Sequence, residues 1–199
     1  MRLPIHPAIA ALSLLSLLST LGASHTALAA DTPAAAASPA PPLLDNSFRR
    51  LHADETVDLK RYQGQPLLVV NTASHCGYTS QFKELEAVHQ RYKASGLKVL
   101  GFSSDDFNQE ADNEAKAANV CFVNFGVSFD MFAPTHVRGE QANPLFRQLA
   151  RESVEPKWNF TKYVVGRDGK VLASFPSKVK PDAPEVTAAI ERALAEPAR

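Results

Sequence analysis

The chain has 199 residues; 21 lysines and arginines balance 21 aspartates and glutamates, hydrophobic residues make up 45 %, and there are two cysteines. That balance excludes a nucleic-acid binder driven by net positive charge, a disordered acidic chain and a disulfide-dense mini-protein. It leaves a globular domain whose partner is a small molecule or another protein.

Arg2 is the only Lys, Arg, Asp or Glu before Asp31, and Ile9 to Leu21 reads IAALSLLSLLSTL. The apolar run is too short and too interrupted by Ser13, Ser16 and Ser19 to span a bilayer comfortably, and it leads into the small-x-small site Ala27-Leu28-Ala29. Residues 1–29 read as a signal peptide, cleaved after Ala29 or Ala30, with a retained N-terminal anchor as the alternative. No cysteine follows the run to carry a lipid anchor. The Ala/Pro-rich residues 30–42 contain no large apolar side chain and read as a linker ahead of a domain over residues 43–199. The expected destination is the periplasm or the exterior of the cell, with no stable membrane insertion after cleavage. Loss of Arg2 leaves 20 basic against 21 acidic side chains, so there is no electrostatic case for DNA, RNA or a membrane surface.

Pro66 to Ala73 is the continuous apolar run PLLVVNTA, as expected of a strand buried on both faces. Thr79 is placed to cap a following helix in which Phe82, Leu85, Val88 and Tyr92 share one face and Gly96 supplies the stop. Lys83, Glu84, Glu86 and Lys93 read as its solvated side. Leu97 to Phe102 is a second buried strand, which completes a βαβ unit with a right-handed crossover. Further helices are expected over Asp112 to Val120, Pro144 to Glu152 and Pro184 to Ala195. Lys162 to Val165 and Lys170 to Phe175 flank Gly166-Arg167-Asp168-Gly169 and read as an antiparallel hairpin. The fold class is α/β, a central mixed β-sheet flanked by helices on both faces.

Cys76 follows the first buried strand and precedes the first helix, in Asn71-Thr72-Ala73-Ser74-His75-Cys76-Gly77-Tyr78-Thr79. The free N–H groups and positive dipole end of a helix stabilise an anion, so a thiol at this position should ionise more readily than one in a core. Position alone leaves a buried structural cysteine open.

The stretch NTASHCGYT, together with FSSDDFNQE from Phe102, NFGVSFDMF from Asn124 and WNFTKY from Trp158, resembles the glutathione peroxidase family over essentially all of Leu43 to Leu194. The resemblance implies a thioredoxin-like fold, makes Cys76 the peroxide-attacking thiolate and assigns Gln109, Trp158 and Asn159 to the polar set around its sulfur. The loop before Gln109 departs from the family pattern. Phe102-Ser103-Ser104-Asp105-Asp106-Phe107 is followed by Asn108 alone, one residue short and without the family's prolines. That puts the Gln109 amide in question and introduces two carboxylates near a thiolate, which are expected to point outward because an inward charge would oppose ionisation.

Chemistry supports a polar set of this kind. An ordinary thiol with a pKa of about 8.5 is roughly 3 % ionised at neutral pH, so complete ionisation accelerates attack only about 30-fold, or about 2 kcal/mol. A millionfold acceleration needs about 8 kcal/mol, and the remaining ~6 kcal/mol has to come from orienting the peroxide and stabilising the departing oxygen. The indole N–H of Trp158 and the amides of Asn159 and Gln109 are donors whose charge does not change with pH.

The resemblance further suggests that a Cys76 sulfenic acid condenses with Cys121 to a disulfide, which a thioredoxin-like protein or glutathione then reduces. The substrate class is hydrogen peroxide or organic hydroperoxides. The rival is a structural Cys76–Cys121 disulfide worth about 4 kcal/mol in a non-catalytic module. A thiol–disulfide oxidoreductase on the same fold needs Cys-x-x-Cys, and Thr79 stands at its fourth position. Because the thiol itself takes the oxidising equivalents, no bound cofactor is required, and no residue set has zinc-like spacing. His75 is adjacent to the nucleophile in sequence, yet neighbouring side chains usually diverge. Asn159-Phe160-Thr161 is a formal glycosylation sequon that a role for Asn159 in the site makes improbable. The short span between Cys121 and Trp158 leaves little room for an oligomerisation insert, so a monomer is expected.

Overall fold

The computed structural model describes residues 42–197. The signal peptide and nearly all of the linker lie outside the described residues. Pro42, assigned to the linker, opens a short 3-10 turn, Pro42–Leu44, in which Leu43 and Leu44 are buried.

The chain continues through β1 (Ser47–Arg49), β2 (Thr56–Asp58), β3 (Leu67–Thr72), α1 (Gln81–Tyr92), β4 (Lys98–Ser103), α2 (Glu114–Ala118), β5 (Asp130–Phe132), α3 (Pro144–Glu152), β6 (Lys162–Val165), β7 (Val171–Phe175) and α4 (Pro184–Ala195). Five strands form one mixed sheet in the order β5-β4-β3-β6-β7, and β1 and β2 form a separate antiparallel pair. All six residues of β3 are buried, because β4 pairs in parallel on one side, from Leu67↔Lys98 to Thr72↔Ser103, and β6 pairs antiparallel on the other. A strand enclosed in this way is expected to be rich in apolar residues, as Leu67 to Val70 are; Asn71 and Thr72 at its carboxyl end are polar.

Successive side chains of a strand point to opposite faces, and the two cores divide accordingly. Leu68 and Val70 of β3 pack with Phe82, Leu85 and Val88 of α1 and Val186 and Ile190 of α4. Leu67 and Val69 pack with Leu145, Phe146 and Leu149 of α3. The Lys162–Val165 and Val171–Phe175 strands form the expected hairpin, with a register shift between Val164 and Val165. Helices over 144–152 and 184–195 also follow the sequence reading, each opened by a proline at its first position, where no N–H is needed.

Four expectations change. Thr79 is not the cap of α1: Ser80 holds that position and makes no side-chain capping bond, while the Thr79 hydroxyl turns back toward Cys76. The helix over Asp112 to Val120 is only five residues of α-helix, Glu114–Ala118, capped by the Asn113 side chain, and it passes into a π-helical turn, Asn119–Asn124. The supposedly solvated side of α1 is partly engaged, since Glu84 pairs with Lys180 at 3.4 Å and Glu86 accepts from Ser128 N at 2.9 Å. The β1–β2 pair and β5 are additional; each is three residues long, too short to show a period. Among the described residues no helix is long and apolar enough to cross a membrane.

Candidate active site

The carboxyl end of the central strand β3 delivers Cys76. After Thr72 the chain forms a tight turn in which Thr79 N–H donates to the Cys76 carbonyl at 3.0 Å, and Cys76 N–H donates to Thr79 Oγ1 at 3.0 Å. The Thr79 hydroxyl in turn donates to the Ala73 carbonyl at 3.0 Å, so this side chain closes the cysteine turn instead of capping α1. Tyr78 N–H points at Cys76 Sγ at 3.5 Å, a backbone donor to the sulfur. Cys76 is a free thiol and is buried. His75 is exposed.

The loop after β4 carries Gln109 to the cysteine turn. The Gln109 carbonyl accepts from His75 N–H at 2.8 Å, and its side-chain oxygen accepts from Asn159 Nδ2 at 3.2 Å. Asn159 is fully buried, and its Oδ1 has no hydrogen-bond partner among the described residues. The two amides therefore meet, but one donates to the other. Gln109 keeps its NH2 as a donor, and Asn159 presents an acceptor as its free end, which alters the expectation that both serve as donors. Trp158 is 41 % exposed. Its ring lies 5.2 Å from that of Phe107 in the loop that carries Gln109. Gln109, Trp158 and Asn159 are thus brought together.

Asn71, a polar residue near the carboxyl end of β3, holds the Trp158–Thr161 segment in place. Its Nδ2 donates to the Trp158 carbonyl at 3.2 Å, its Oδ1 accepts from Thr161 N–H at 3.0 Å, and its carbonyl accepts from Phe160 N–H at 2.6 Å. Phe160 takes a left-handed backbone with φ 62°, unusual for a bulky residue, and is fully buried edge-on against Phe82 of α1. Such strain persists only where surrounding contacts enforce it.

Glu110 is a second residue whose role was not foreseen. Its carboxylate accepts from Ser74 N at 3.1 Å, from Ala111 N at 2.8 Å and from the hydroxyls of Ser74 and Ser103, joining the ends of β3 and β4 to the start of the segment that leads to Cys121. Glu110 follows Gln109 directly, but nothing in its immediate sequence marks it as inward. Of the two carboxylates in the shortened loop, Asp105 is exposed and accepts from Glu110 N–H at 3.0 Å. Asp106 turns to the 136–138 loop instead of to solvent, accepting from Val137 N at 2.6 Å and bonding His136 Nδ1 at 2.7 Å, contacts that hold its carboxyl below the usual carboxylate range.

Cys121 lies in the π-helical turn as a free, buried thiol in the same core cluster as Cys76. Burial, reinforced by the negative charge of Glu110, pushes it up to about 12. The neighbouring Phe122 and Val123 are exposed. A pocket of about 340 Å³ opens beside the site between Tyr78, Trp158, Lys157, Thr161, Pro176 and Lys178. Among the described residues no group of three or more His, Cys, Asp or Glu converges to hold a metal ion.

The family model described as glutathione peroxidase matches residues 44–150. The chain is 42 % identical over 134 residues to a glutathione peroxidase of Lactococcus lactis subsp. cremoris, an alignment covering 64 % of this chain and 85 % of the relative. It is 39 % identical over 150 residues to hydroperoxy fatty acid reductase gpx1 of Synechocystis, covering 69 % and 88 %. The apo crystal structure of Trgpx superposes with a TM-score of 0.65 at 34 % identity, over 80 % of this chain and all of that one. A thiol:disulfide interchange protein of the thioredoxin family from Chlorobium tepidum, at 15 % identity and a TM-score of 0.59 over 79 % of this chain and 99 % of that one, shares the fold. With a free cysteine in the turn after the central strand, and Gln109 bonded through its carbonyl to that turn and through its side chain to Asn159, the chain belongs to the glutathione peroxidase family and is a thiol peroxidase on a thioredoxin-like fold.

Proposed function

We propose that Cys76 is the sulfur that hydroperoxides oxidise and that Cys121 resolves the product. The observation that carries this reading is the convergence of the cysteine turn, Gln109, Asn159 and the half-exposed Trp158 at the end of β3. The Cys76 thiolate attacks the terminal oxygen of ROOH, the O–O bond breaks, and ROH leaves with a proton from the medium, giving Cys76–SOH. Gln109 NH2 and the Trp158 indole N–H are the donors available to the departing oxygen, and Asn159 Oδ1 is an acceptor available to a peroxide hydroxyl. The Cys121 thiol then condenses with the sulfenic acid, forming an S–S bond and releasing water. A thioredoxin-like dithiol or glutathione restores both thiols.

Condensation requires Cys121 to leave its apolar surroundings, and the segment that holds it is a five-residue helix ending in a π turn. Short elements with few buried contacts open at low free energy. The pocket between Trp158 and Pro176 reaches the cysteine turn at Tyr78 and offers room for an organic hydroperoxide, in keeping with the relative named for hydroperoxy fatty acids. Export rests on the apolar run Ile9 to Leu21 and the Ala27-Leu28-Ala29 site, and N-terminal sequencing of the mature chain tests it. A monomer is the expected working unit, checked by sedimentation.

The deciding experiment is peroxide consumption, with hydrogen peroxide and with a fatty acid hydroperoxide, coupled in parallel to a thioredoxin system and to glutathione, on the wild type, Cys76→Ser and Cys121→Ser. Turnover by Cys76→Ser contradicts the reading. Full thioredoxin-linked turnover by Cys121→Ser removes Cys121 from the cycle.

A further inference from the structure

Lys162 stands on β6 with 0 % exposure, followed by the buried Tyr163, Val164 and Val165. Among the described residues no carboxylate pairs with it directly. Its Nζ donates to Gln81 Oε1 at 2.8 Å and reaches the Ser177 carbonyl at 3.4 Å. Burying an ammonium group without a paired anion is costly, and an apolar side chain of the same length fills such a position at lower cost. A residue kept at that expense is a candidate for function rather than stability.

The bonds around Lys162 lead to the active site. Gln81 is the first residue of α1, directly after the cysteine turn, and its Nε2 donates to the Ser177 carbonyl at 2.7 Å. The Ser177 hydroxyl donates to the Asn159 carbonyl at 2.6 Å, and the Asn159 side chain donates to Gln109. Lys162 thus ties the entrance of α1 and the 176–178 segment to the segment carrying Asn159, whose side chain meets Gln109 of the loop after β4.

The charges bearing on Lys162 are few. From α1 comes Glu84, whose Oε2 is buried without a hydrogen-bond partner among the described residues and whose Oε1 pairs with Lys180. The segment after β7 contributes Lys180 and Lys178, and β3 and β7 set the uncharged Val70 and Phe175 opposite Lys162. Burial pushes the amino group down to about 7 against the pull of Glu84, so its charge changes in the neutral range.

We propose that Lys162 is a positioning residue for peroxide reduction, its amino group fixing Gln81 and Ser177 and, through them, the geometry of Asn159 and Gln109 over Cys76. The proposal rests on the peroxidase reading above. The test is the rate of Cys76 oxidation by hydrogen peroxide in the reduced full chain, followed by rapid mixing from pH 5.5 to 9.5, with melting temperatures, for the wild type, Lys162→Met and Ser177→Ala. Lys162→Met is expected to oxidise at least tenfold more slowly at pH 7, to melt no lower than the wild type, and to lose an inflection near pH 7 present in the wild-type profile. Ser177→Ala is expected to slow oxidation less and to keep the inflection. The folded chain binds the Lys162 proton less tightly than the unfolded chain does, so the penalty for Lys162 is full at and below pH 7 and fades toward pH 10.5. The melting advantage of Lys162→Met should shrink correspondingly as pH rises. A Lys162→Met rate within twofold of wild type at every pH overturns the proposal, as does slowing matched by a lower melting temperature with an unchanged profile. A wild-type profile without an inflection between pH 6 and 8 also overturns it, whether or not the variant folds. A wild type that does not react with peroxide defeats the peroxidase reading instead.

Discussion

The two sulfurs sit in the same core cluster and in opposite kinds of structure. Cys76 is enclosed in a turn whose backbone is bonded to Thr79, joined at His75 to the Gln109 carbonyl, and tied at Ser74 through Glu110 to the end of β4. Cys121 is buried too, yet its segment is a short helix running into a π turn that turns Phe122 and Val123 to solvent. In the proposed cycle the first environment holds the reactive sulfur in a fixed turn, and the second keeps a buried thiol protonated. Burial alone therefore says little about a cysteine's task; what surrounds it and what it costs to expose it separate the two.

The largest test of this contrast removes each sulfur. Cys76→Ser should reduce peroxide consumption to the background rate, whereas Cys121→Ser should still reduce about one equivalent of peroxide and then lose thioredoxin-linked turnover by about 100-fold or more, as measured by single- and multiple-turnover assays. Next in size is accessibility. With Cys121 pushed up to about 12, iodoacetamide should label it at least about 100-fold more slowly than Cys76 near pH 7.5, and its labelling should quicken roughly tenfold per pH unit between 7 and 9 because only the thiolate reacts. Equal labelling rates would erase the contrast. Trp158→Phe should slow Cys76 oxidation by about 10- to 100-fold, the weight of one hydrogen bond made at the transition state, with the resolution step unaltered. Asn71→Leu leaves the Trp158 carbonyl and the Thr161 N–H without their partner and should lower stability by about 2–4 kcal/mol in denaturant melts. The smallest effect is expected from Asp106→Asn, about 0.5–1 kcal/mol, since His136 is exposed and the main-chain bonds from Val137 and Arg138 survive in part.

Much of this arrangement is visible in the sequence, for physical reasons that also mark where it stops being visible. β3 and α1 announce themselves because a strand buried on both faces is rich in apolar residues and a helix against one face repeats its apolar residues. β5 and the β1–β2 pair are too short for a period to show. The segment over 112–124 begins as a helix should, with Asn113 as its cap, but nothing in it foretells a π turn. Within the site, Cys76, Trp158 and Asn159 are marked by motif, while the cross-links are long-range and leave weaker traces. Asn71 betrays itself only as a polar residue in an apolar run. Lys162 lies inside the WNFTKY motif without any sign of its burial, and Glu110, Gln81 and Ser177 show nothing until the fold joins residues as far apart as Gln81 and Ser177.

The central claim is that the sulfur at the end of β3 takes the oxygen. It is tested most directly by treating reduced Cys121→Ser with one equivalent of hydrogen peroxide in the presence of dimedone and mapping the adduct by peptide mass spectrometry. The account predicts a single dimedone adduct, on Cys76, formed as the peroxide disappears. Peroxide consumed at an undiminished rate with Cys76 unmodified would contradict it.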